Sequence, residues 1–530
     1  MPSRLLLPDL TAGAITLVFA LVCARFAWQP ELASFADDSA AYLVMAQVLS
    51  PWHSASQAVS EAFVREAFYP PLFPLLLGFL GAGDDTGRAH VITALLLAAC
   101  LPLVYRLGLR WLEERWAAAA ALAVTALLPS LWIHVKGILS EPLFCLLLLA
   151  IFCALEARPR RPFLLAALMA GLVSTRSVGL IVLGAYALHA LTRRGSRWDE
   201  RMQRTWPALG GVAAYAAWLL LRPAGTSDDY MRIVIERGHA MLAAPDSMSA
   251  LAASLTRQAN ALGEAWVGAL MLFWVSGRHL PVVLASLVGI LSLAGLIVRV
   301  VRGKADAWMM SAYLGTFLVW PFYDQMTRFL FPVLPVLLLY AFWSLTAVMA
   351  ASGRRPRLAH ALLVLALVSL SAPALAFIRQ RALTDGELSR ITDWYRTPDL
   401  DRARSRAQVH LDLLADMESI KTLTEPRARI MWVVPSYIAL LADRRGVPAP
   451  DARLSPEQYR EAVQRATPDY IFLSAYHPRD TLRESAWKTG VAAMAGHGEA
   501  VHARRRPDGT LGSILLKLNA PQLVARGGHP

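Results

Sequence analysis

The sequence predicts an all-α polytopic membrane domain of about eleven transmembrane helices, followed by a small C-terminal α/β domain outside the membrane. Three observations carry this. Of the 530 residues, 56% are hydrophobic and only 17% are charged, against roughly 25% charged in soluble proteins. Apolar runs near the length that crosses a bilayer recur through the first three quarters. Arginines gather in every second loop between those runs, which is how membrane proteins encode orientation. Long continuous runs, rather than short alternating segments, exclude a barrel.

The runs fall at 10–28, 88–107, 116–134, 141–156, 162–174, 177–192, 205–222, 280–301, 306–322, 329–348 and 358–378. The first is read as an uncleaved helix, because no clear small-residue cleavage site ends it and acids follow at once. Residues 265–276 are apolar but too short to span, so a re-entrant or interfacial piece is expected there. The basic loops hold Arg106, Arg110 and Arg115; Arg158, Arg160 and Arg161; Arg193 to Arg204; Arg299, Arg302 and Lys304; and Arg354, Arg355 and Arg357. These are expected to be cytoplasmic. An odd number of spans then places the amino terminus inside and the tail outside.

Three segments are expected on the outer side. Residues 29–87 form a long loop with helical patterning at 38–50 and 57–68, and residues 223–264 form another. Residues 379–530 have soluble-domain composition and are drawn as a domain separate from 1–378. Within this tail Arg429–Val434, Tyr470–Ser474 and Ser513–Leu518 read as strands, and 436–445 and 456–466 as helices. The tail holds no Gly-rich phosphate loop and no nucleophile elbow.

The net charge of +13 raises nucleic acid as a partner, but no basic face with interleaved aromatics supports it. Cys23, Cys100, Cys145 and Cys153 lie in apolar runs, without metal-ligand spacing to histidine and without a disulfide framework.

The candidate site is the set of polar residues that this topology gathers at the outer face: Asp37, Asp38, Tyr42, Tyr69, His134, Lys136, Glu141, Arg176, Tyr323, Asp324 and Arg328. Ionisable groups at a bilayer are costly and so invite a functional reading. Each has a plainer alternative. Asp38 or Ser39 could cap a helix. Glu141 could answer a helix dipole behind Ser140 as N-cap and Pro142 in the first turn. The arginines could reach for headgroup water. As a group they suit an anionic lipid head: Arg176, Arg328 and Lys136 for a phosphate, Asp38 as general base.

At these residues the sequence resembles the bacterial membrane glycosyltransferases of the C-type (GT-C) fold, in the protein O-mannosyltransferase and lipid A aminoarabinose transferase group. Asp38-Ser39-Ala40-Ala41-Tyr42, with Ala46 beyond, is similar to that group's first acidic motif. Tyr69-Pro70-Pro71 through Leu77-Gly78 resembles its proline-rich approach to the second span. Ser140-Glu141-Pro142 resembles the second acidic motif, and Arg328-Phe329-Leu330-Phe331-Pro332 with Pro335 the late arginine motif.

The resemblance implies a polyprenyl-phosphate sugar donor and inverting transfer to an acceptor hydroxyl on a lipid, glycan or protein. It implies a multi-pass protein of the bacterial inner membrane with its site on the periplasmic face. The catalytic acid of the first loop falls on Asp38, with Asp37 as a neighbour able to substitute. Glu141 orients sugar or acceptor, and Tyr42, Tyr69 and His134 line the substrate. A divalent cation among Asp38, Glu141 and His134 is compatible with the ligand types. The competing readings are a lipid or anionic-solute transporter or flippase, and a ligase or polymerase of lipid-linked glycans.

Overall fold

The computed structural model describes residues 7–34, 37–157, 161–193, 197–224, 226, 235–236, 239, 246–272, 279–318, 320, 325–451, 453–475, 485–506 and 509–518. Tyr323, Asp324, Arg158, Arg160 and Arg194 lie outside these residues, as does the side chain of Asp37. The chain divides into two compact units, Met1–Ala33 with Ala67–Leu76 and Asp85–Pro398, and Ser34–Glu66 with Leu77–Asp84 and Asp399–Pro530. This division differs from a single boundary at 378, because the outer helices after residue 34 pack with the tail.

Among the described residues up to 398, the helices are α1 (Leu7–Ala27), α2 (Asp37–Val48), α3 (Gln57–Glu66), α4 (Leu72–Phe79), α5 (Thr86–Trp111), α6 (Arg115–Ala126), α7 (Pro129–His134), α8 (Glu141–Leu155), α9 (Pro162–Thr175), α10 (Gly179–Thr192), α11 (Trp198–Leu221), α12 (Ser247–Met271), α13 (His279–Val301), α14 (Ala305–Phe317), α15 (Met326–Leu330), α16 (Leu334–Ala351) and α17 (Arg357–Thr384). Among the described residues, five stretches are long and apolar enough to cross a membrane: α1, α5, α13, Met326–Ala351 and α17. Helices α6, α8, α9 and α10 are apolar but shorter. The large apolar side chains exposed along α1, α13 and α17, such as Leu17, Ile297 and Leu365, form a surface suited to lipid rather than water.

Three departures from the sequence reading have local causes. The run 116–134 is two helices, broken at Leu128, whose extended backbone (ψ 120°) is what a following proline, Pro129, imposes. The run 329–348 is likewise interrupted by a 3₁₀ turn over Phe331–Val333, which contains Pro332 and is followed by Pro335. Of the apolar piece at 265–276, residues 265–271 are the end of a 25-residue helix, α12, which begins behind an Asp246 cap bonded to Ser249 N at 3.1 Å.

Helix packing in the first unit is close. A Cβ on Gly295 of α13 would lie 2.5 Å from the Tyr340 carbonyl and 2.7 Å from Ser344 Oγ on α16. Gly295→Val is therefore expected to destabilise by about 1–3 kcal/mol, read as a lowered melting temperature in detergent. Beside this contact Arg299, expected in a cytoplasmic loop, is 3% exposed. It donates through Nε and Nη2 to Asp306 at 2.8 Å, and its guanidinium lies 3.9 Å over the Trp111 ring. Burial of this cation is tolerable because Asp306 neutralises it; the Tyr340 hydroxyl also donates to that carboxylate at 2.8 Å.

In the second unit, α2 and α3 pack on α19 (Pro435–Ala442) through Val44, Ala58, Val59, Ala62 and Ala439. Further elements are α18 (Leu400–Leu423), α20 (Pro456–Ala466), α21 (Ser485–Met494), β1 (Arg429–Trp432), β2 (Arg445–Pro448), β3 (Tyr470–Ser474), β4 (Gly498–Arg505) and β5 (Leu511–Leu518). The sheet order is β2-β1-β3-β5-β4. β1 runs parallel to β2 and β3, and β5 antiparallel to β3 and β4. Met431, Ile471, Leu473 and Leu516 form one buried face with Tyr459 and Val463 of α20. The intervening Ile430, Trp432, Tyr470 and Phe472 are also buried, so the central strands are covered on both faces. Asp416 of α18, fully buried, accepts from Ser513 Oγ (2.6 Å), Arg504 Nε (2.7 Å) and the His502 ring (3.1 Å), tying α18 to the β4–β5 ribbon.

Candidate functional site

Glu141 opens α8 and is fully buried. Two arginines from distant stretches meet its Oε1. Arg176, which caps the C-terminus of α9, forms an ion pair with it, Nη1 lying 2.7 Å away. Arg328, in the short helix α15, donates through Nε. The local sequence explains each position. Pro142 fixes the first turn of α8, and the positive N-terminal end of that helix suits a carboxylate. Arg176 takes an extended backbone (φ −152°, ψ 136°) that ends α9. The break at Phe331–Val333 confines Arg328 to a helix of five residues.

Ser140 was expected to cap α8, yet its side chain makes no cap hydrogen bond. Its hydroxyl instead accepts from Arg176 Nη1 at 3.3 Å. Aromatic side chains floor the cluster. Arg176 lies 5.6 Å over the Phe329 ring. The Tyr313 hydroxyl, buried, donates to the Phe329 carbonyl at 2.7 Å, and its ring lies 5.8 Å from Phe144. His134 stacks on Phe331 (5.0 Å, 19°). Its Nδ1 is 2.7 Å from the Ser130 carbonyl, and a carbonyl only accepts, so Nδ1 carries the proton.

The other sequence candidates lie on other elements. Asp38 and Tyr42 belong to α2 in the second unit and are 9% and 2% exposed. Asp38 is inside the first turn of α2, which begins at Asp37. Tyr69, in the first unit, stacks against Phe68 at 4.2 Å. Lys136, in the loop between α7 and α8, turns to a neutral partner. Its ammonium donates to the Ser389 carbonyl at 2.8 Å and lies 4.5 Å from the Phe26 ring and 5.2 Å from the Tyr395 ring.

Lys136 and Gln29 together hold a segment, 388–395, that the sequence did not single out. The Gln29 side chain donates to the Arg390 carbonyl while its oxygen accepts from His90 Nε2 (3.0 Å) and Ala33 N (3.2 Å). Thr392 N donates to the Ala33 carbonyl at 2.8 Å. No local pattern marks these contacts, because Lys136 and Ser389 are 253 residues apart.

Burial pushes the Lys136 ammonium from 10.5 down to about 7. Between those values the unfolded chain holds a proton that the folded chain has lost. Stability therefore rises with pH from about 7 to 10.5. Lys136→Met is expected to flatten that part of the pH–stability curve, as measured by melting temperature across the range.

Among the described residues, no three His, Cys, Asp or Glu side chains come together as ligands for a metal ion. Glu141 Oε1 is held by two guanidiniums.

No protein-family model matches the chain, and no curated protein matches it at significant similarity. Solved structures do. ArnT from Cupriavidus metallidurans in the apo state matches with a TM-score of 0.50 and 11% identity, over 95% of this chain and 97% of that one. The same protein bound to undecaprenyl phosphate matches with a TM-score of 0.50 and 12% identity, over 96% and 97%. The archaeal oligosaccharyltransferase AglB from Archaeoglobus fulgidus, in complex with an inhibitory peptide and a dolichol-phosphate, matches with a TM-score of 0.47 and 12% identity, over 95% of this chain and 74% of that one. The chain has the GT-C membrane fold.

Proposed function

We propose that the protein is an inverting membrane glycosyltransferase that moves a sugar from a polyprenyl-phosphate donor to an acceptor hydroxyl. The observation that carries this is the meeting of Arg176 and Arg328 on the one buried carboxylate of Glu141. Two guanidiniums held by a fixed acid are a preorganised receptor for an oxyanion. The fold supports the reading, since ArnT, of the same fold, is bound to undecaprenyl phosphate in one of its structures. The charges stand at helix ends rather than mid-helix, which favours chemistry at a membrane face over a transport path through the midplane.

In this reading the acceptor oxygen attacks the anomeric carbon from the face opposite the phosphate. The bond from that carbon to the phosphate oxygen breaks, and the configuration inverts. Asp38 accepts the acceptor's proton. Arg176 and Arg328 hold the polyprenyl phosphate and stabilise the charge it gains as it leaves. Glu141 fixes the two arginines, and His134 and Tyr69 line the substrate. The site and the tail face the periplasm of a bacterial inner membrane. The acceptor is a lipid, a glycan or a protein. Lys136 is assigned to the 388–395 segment rather than to the phosphate.

Undecaprenyl phosphate is expected to raise the melting temperature of the purified protein. Arg176→Ala and Arg328→Ala are each expected to weaken that binding by about 10- to 150-fold, the equivalent of a charged hydrogen bond of about 1.5–3 kcal/mol. Mass spectrometry of envelope glycans from a strain lacking the gene tests the activity itself: one glycan should lose one sugar. Unchanged glycans and no lipid-phosphate binding would reject the reading.

A further inference from the structure

One cation of the second unit is left without an acceptor. Arg65 lies in the last turn of α3. Its Nε and Nη2 are enclosed, and neither donates to any group among the described residues. Both acids of its own helix are engaged elsewhere. Glu61 takes Arg445 Nε at 2.7 Å and Arg445 Nη2 as well. Glu66 accepts from the Ser436 hydroxyl. Burial lowers the Arg65 pKa, with Glu66 and then Glu61 opposing. Arg444, the other enclosed arginine of this unit, shows the contrast. It donates to the carbonyls of Lys421, Thr424, Ala442 and Asp443 and to Thr424 Oγ. Enclosed donors left without acceptors are costly, and where a protein tolerates them a ligand is a natural partner.

The position of Arg65 says which ligand. Tyr437, at the start of α19, donates to the Ser34 carbonyl at 3.4 Å. Its neighbour Ser436 reaches Glu66. Consecutive residues of α19 thus touch the stretch just before α2 and the last residue of α3. The 49–56 connection reverses the chain, so Asp38 and Arg65 stand at the same end of the α2–α3 hairpin.

We propose that Arg65 binds a phosphate group of the substrate beside Asp38. This rests on the reading of Asp38 as the base and adds an anion contact that the reading lacks. The planar guanidinium offers two parallel donors to an oxyanion, and Glu61 and Glu66, though their charge acts on Arg65, accept hydrogen bonds from Arg445 and Ser436. The phosphate belongs either to the lipid donor or to a water-soluble molecule; the chemistry is the same.

The test uses the full chain in nanodiscs, as wild type, Arg65→Gln and Arg328→Gln, with undecaprenyl phosphate and inorganic phosphate as probes. Arg65→Gln is expected to melt at or above the wild-type temperature without ligand, because an unpartnered enclosed charge is gone. It should bind undecaprenyl phosphate at least ~10-fold more weakly, one charged hydrogen bond. Loss confined to inorganic phosphate assigns the site to a soluble phosphate group. A lowered melting temperature without ligand identifies a structural cation and overturns the proposal, as does wild-type affinity for both probes. Binding is read without turnover. An Asp38→Asn protein that still transfers sugar would therefore reject the base and leave this result standing.

Discussion

Asp38→Asn is expected to reduce sugar transfer by about 10²- to 10⁴-fold, the range a positioned general base contributes. The substitution keeps the size and shape of the side chain. It should therefore leave α2 in place, where every residue from Ser39 to Ala46 is buried. What it removes is the capacity to take a proton. Affinity for undecaprenyl phosphate should be retained, since that is assigned to Arg176, Arg328 and Arg65 rather than to Asp38, so the loss should appear in kcat. The neighbouring Asp37 gives the comparison: Asp37→Asn should retain most activity, and the double variant should lose whatever transfer Asp37 supports in Asp38→Asn. Wild-type turnover in Asp38→Asn, with a lipid-linked donor that the wild type uses, would remove the base from the mechanism.

The membrane helices were legible because run length is a local property. Among the described residues, each apolar run named from the sequence falls largely on helix, from Leu7–Ala27 to Arg357–Thr384. The number of membrane crossings is not given by helicity, since α6, α8, α9 and α10 are shorter than a bilayer is thick. Helix α12 was under-read because Arg257, Gln258 and Glu264 lower its hydropathy without lowering its helix propensity. Its side chains Ala265, Val267, Ala269 and Leu270 are buried all the same.

In the tail, β1, β3 and β5 were readable from β-branched and aromatic runs. The strands missed, β2 and β4, are the two edges of the sheet. Edge strands tolerate Pro448 and the polar Gly498–Arg505, and those residues hide them. Helix α18 carries too many charges to show an apolar stripe. It is fixed instead by the Asp399 cap on Arg402 N (2.6 Å) and by buried Asp416.

The charged residues of the Glu141 cluster were visible as ionisable groups at the ends of apolar runs, but their pairing was not. Glu141 and Arg328 are 187 residues apart, and nothing local says that one oxygen serves two arginines. Lys136, which looked like a third phosphate ligand by charge and position, is drawn to Ser389 by a cage of Phe26 and Tyr395. That cage exists only after α1 and the 388–395 segment have been brought together.

Glu141→Gln tests that pairing most directly. The carboxylate is 0% exposed, and the side chains of Arg176 and Arg328 are 16% and 18% exposed. Removing one member of a buried ionic cluster typically costs about 3–5 kcal/mol, because the remaining charges stay buried without compensation. Here two like charges remain on one oxygen's former site, so a loss of that size is expected in the ligand-free protein. Replacing one arginine as well, in Glu141→Gln/Arg328→Gln, should recover part of it, because the repulsion is gone. The lipid phosphate provides the decisive comparison. An oxyanion placed between Arg176 and Arg328 does for the variant what Glu141 does for the wild type. Undecaprenyl phosphate should therefore raise the melting temperature of Glu141→Gln by more than it raises that of the wild type. A smaller rise in the variant would mean that Glu141 organises the arginines for the ligand rather than competing with it for their charge. No rise in either protein would mean that the arginines serve the fold alone, and the phosphate assignment would fall with them.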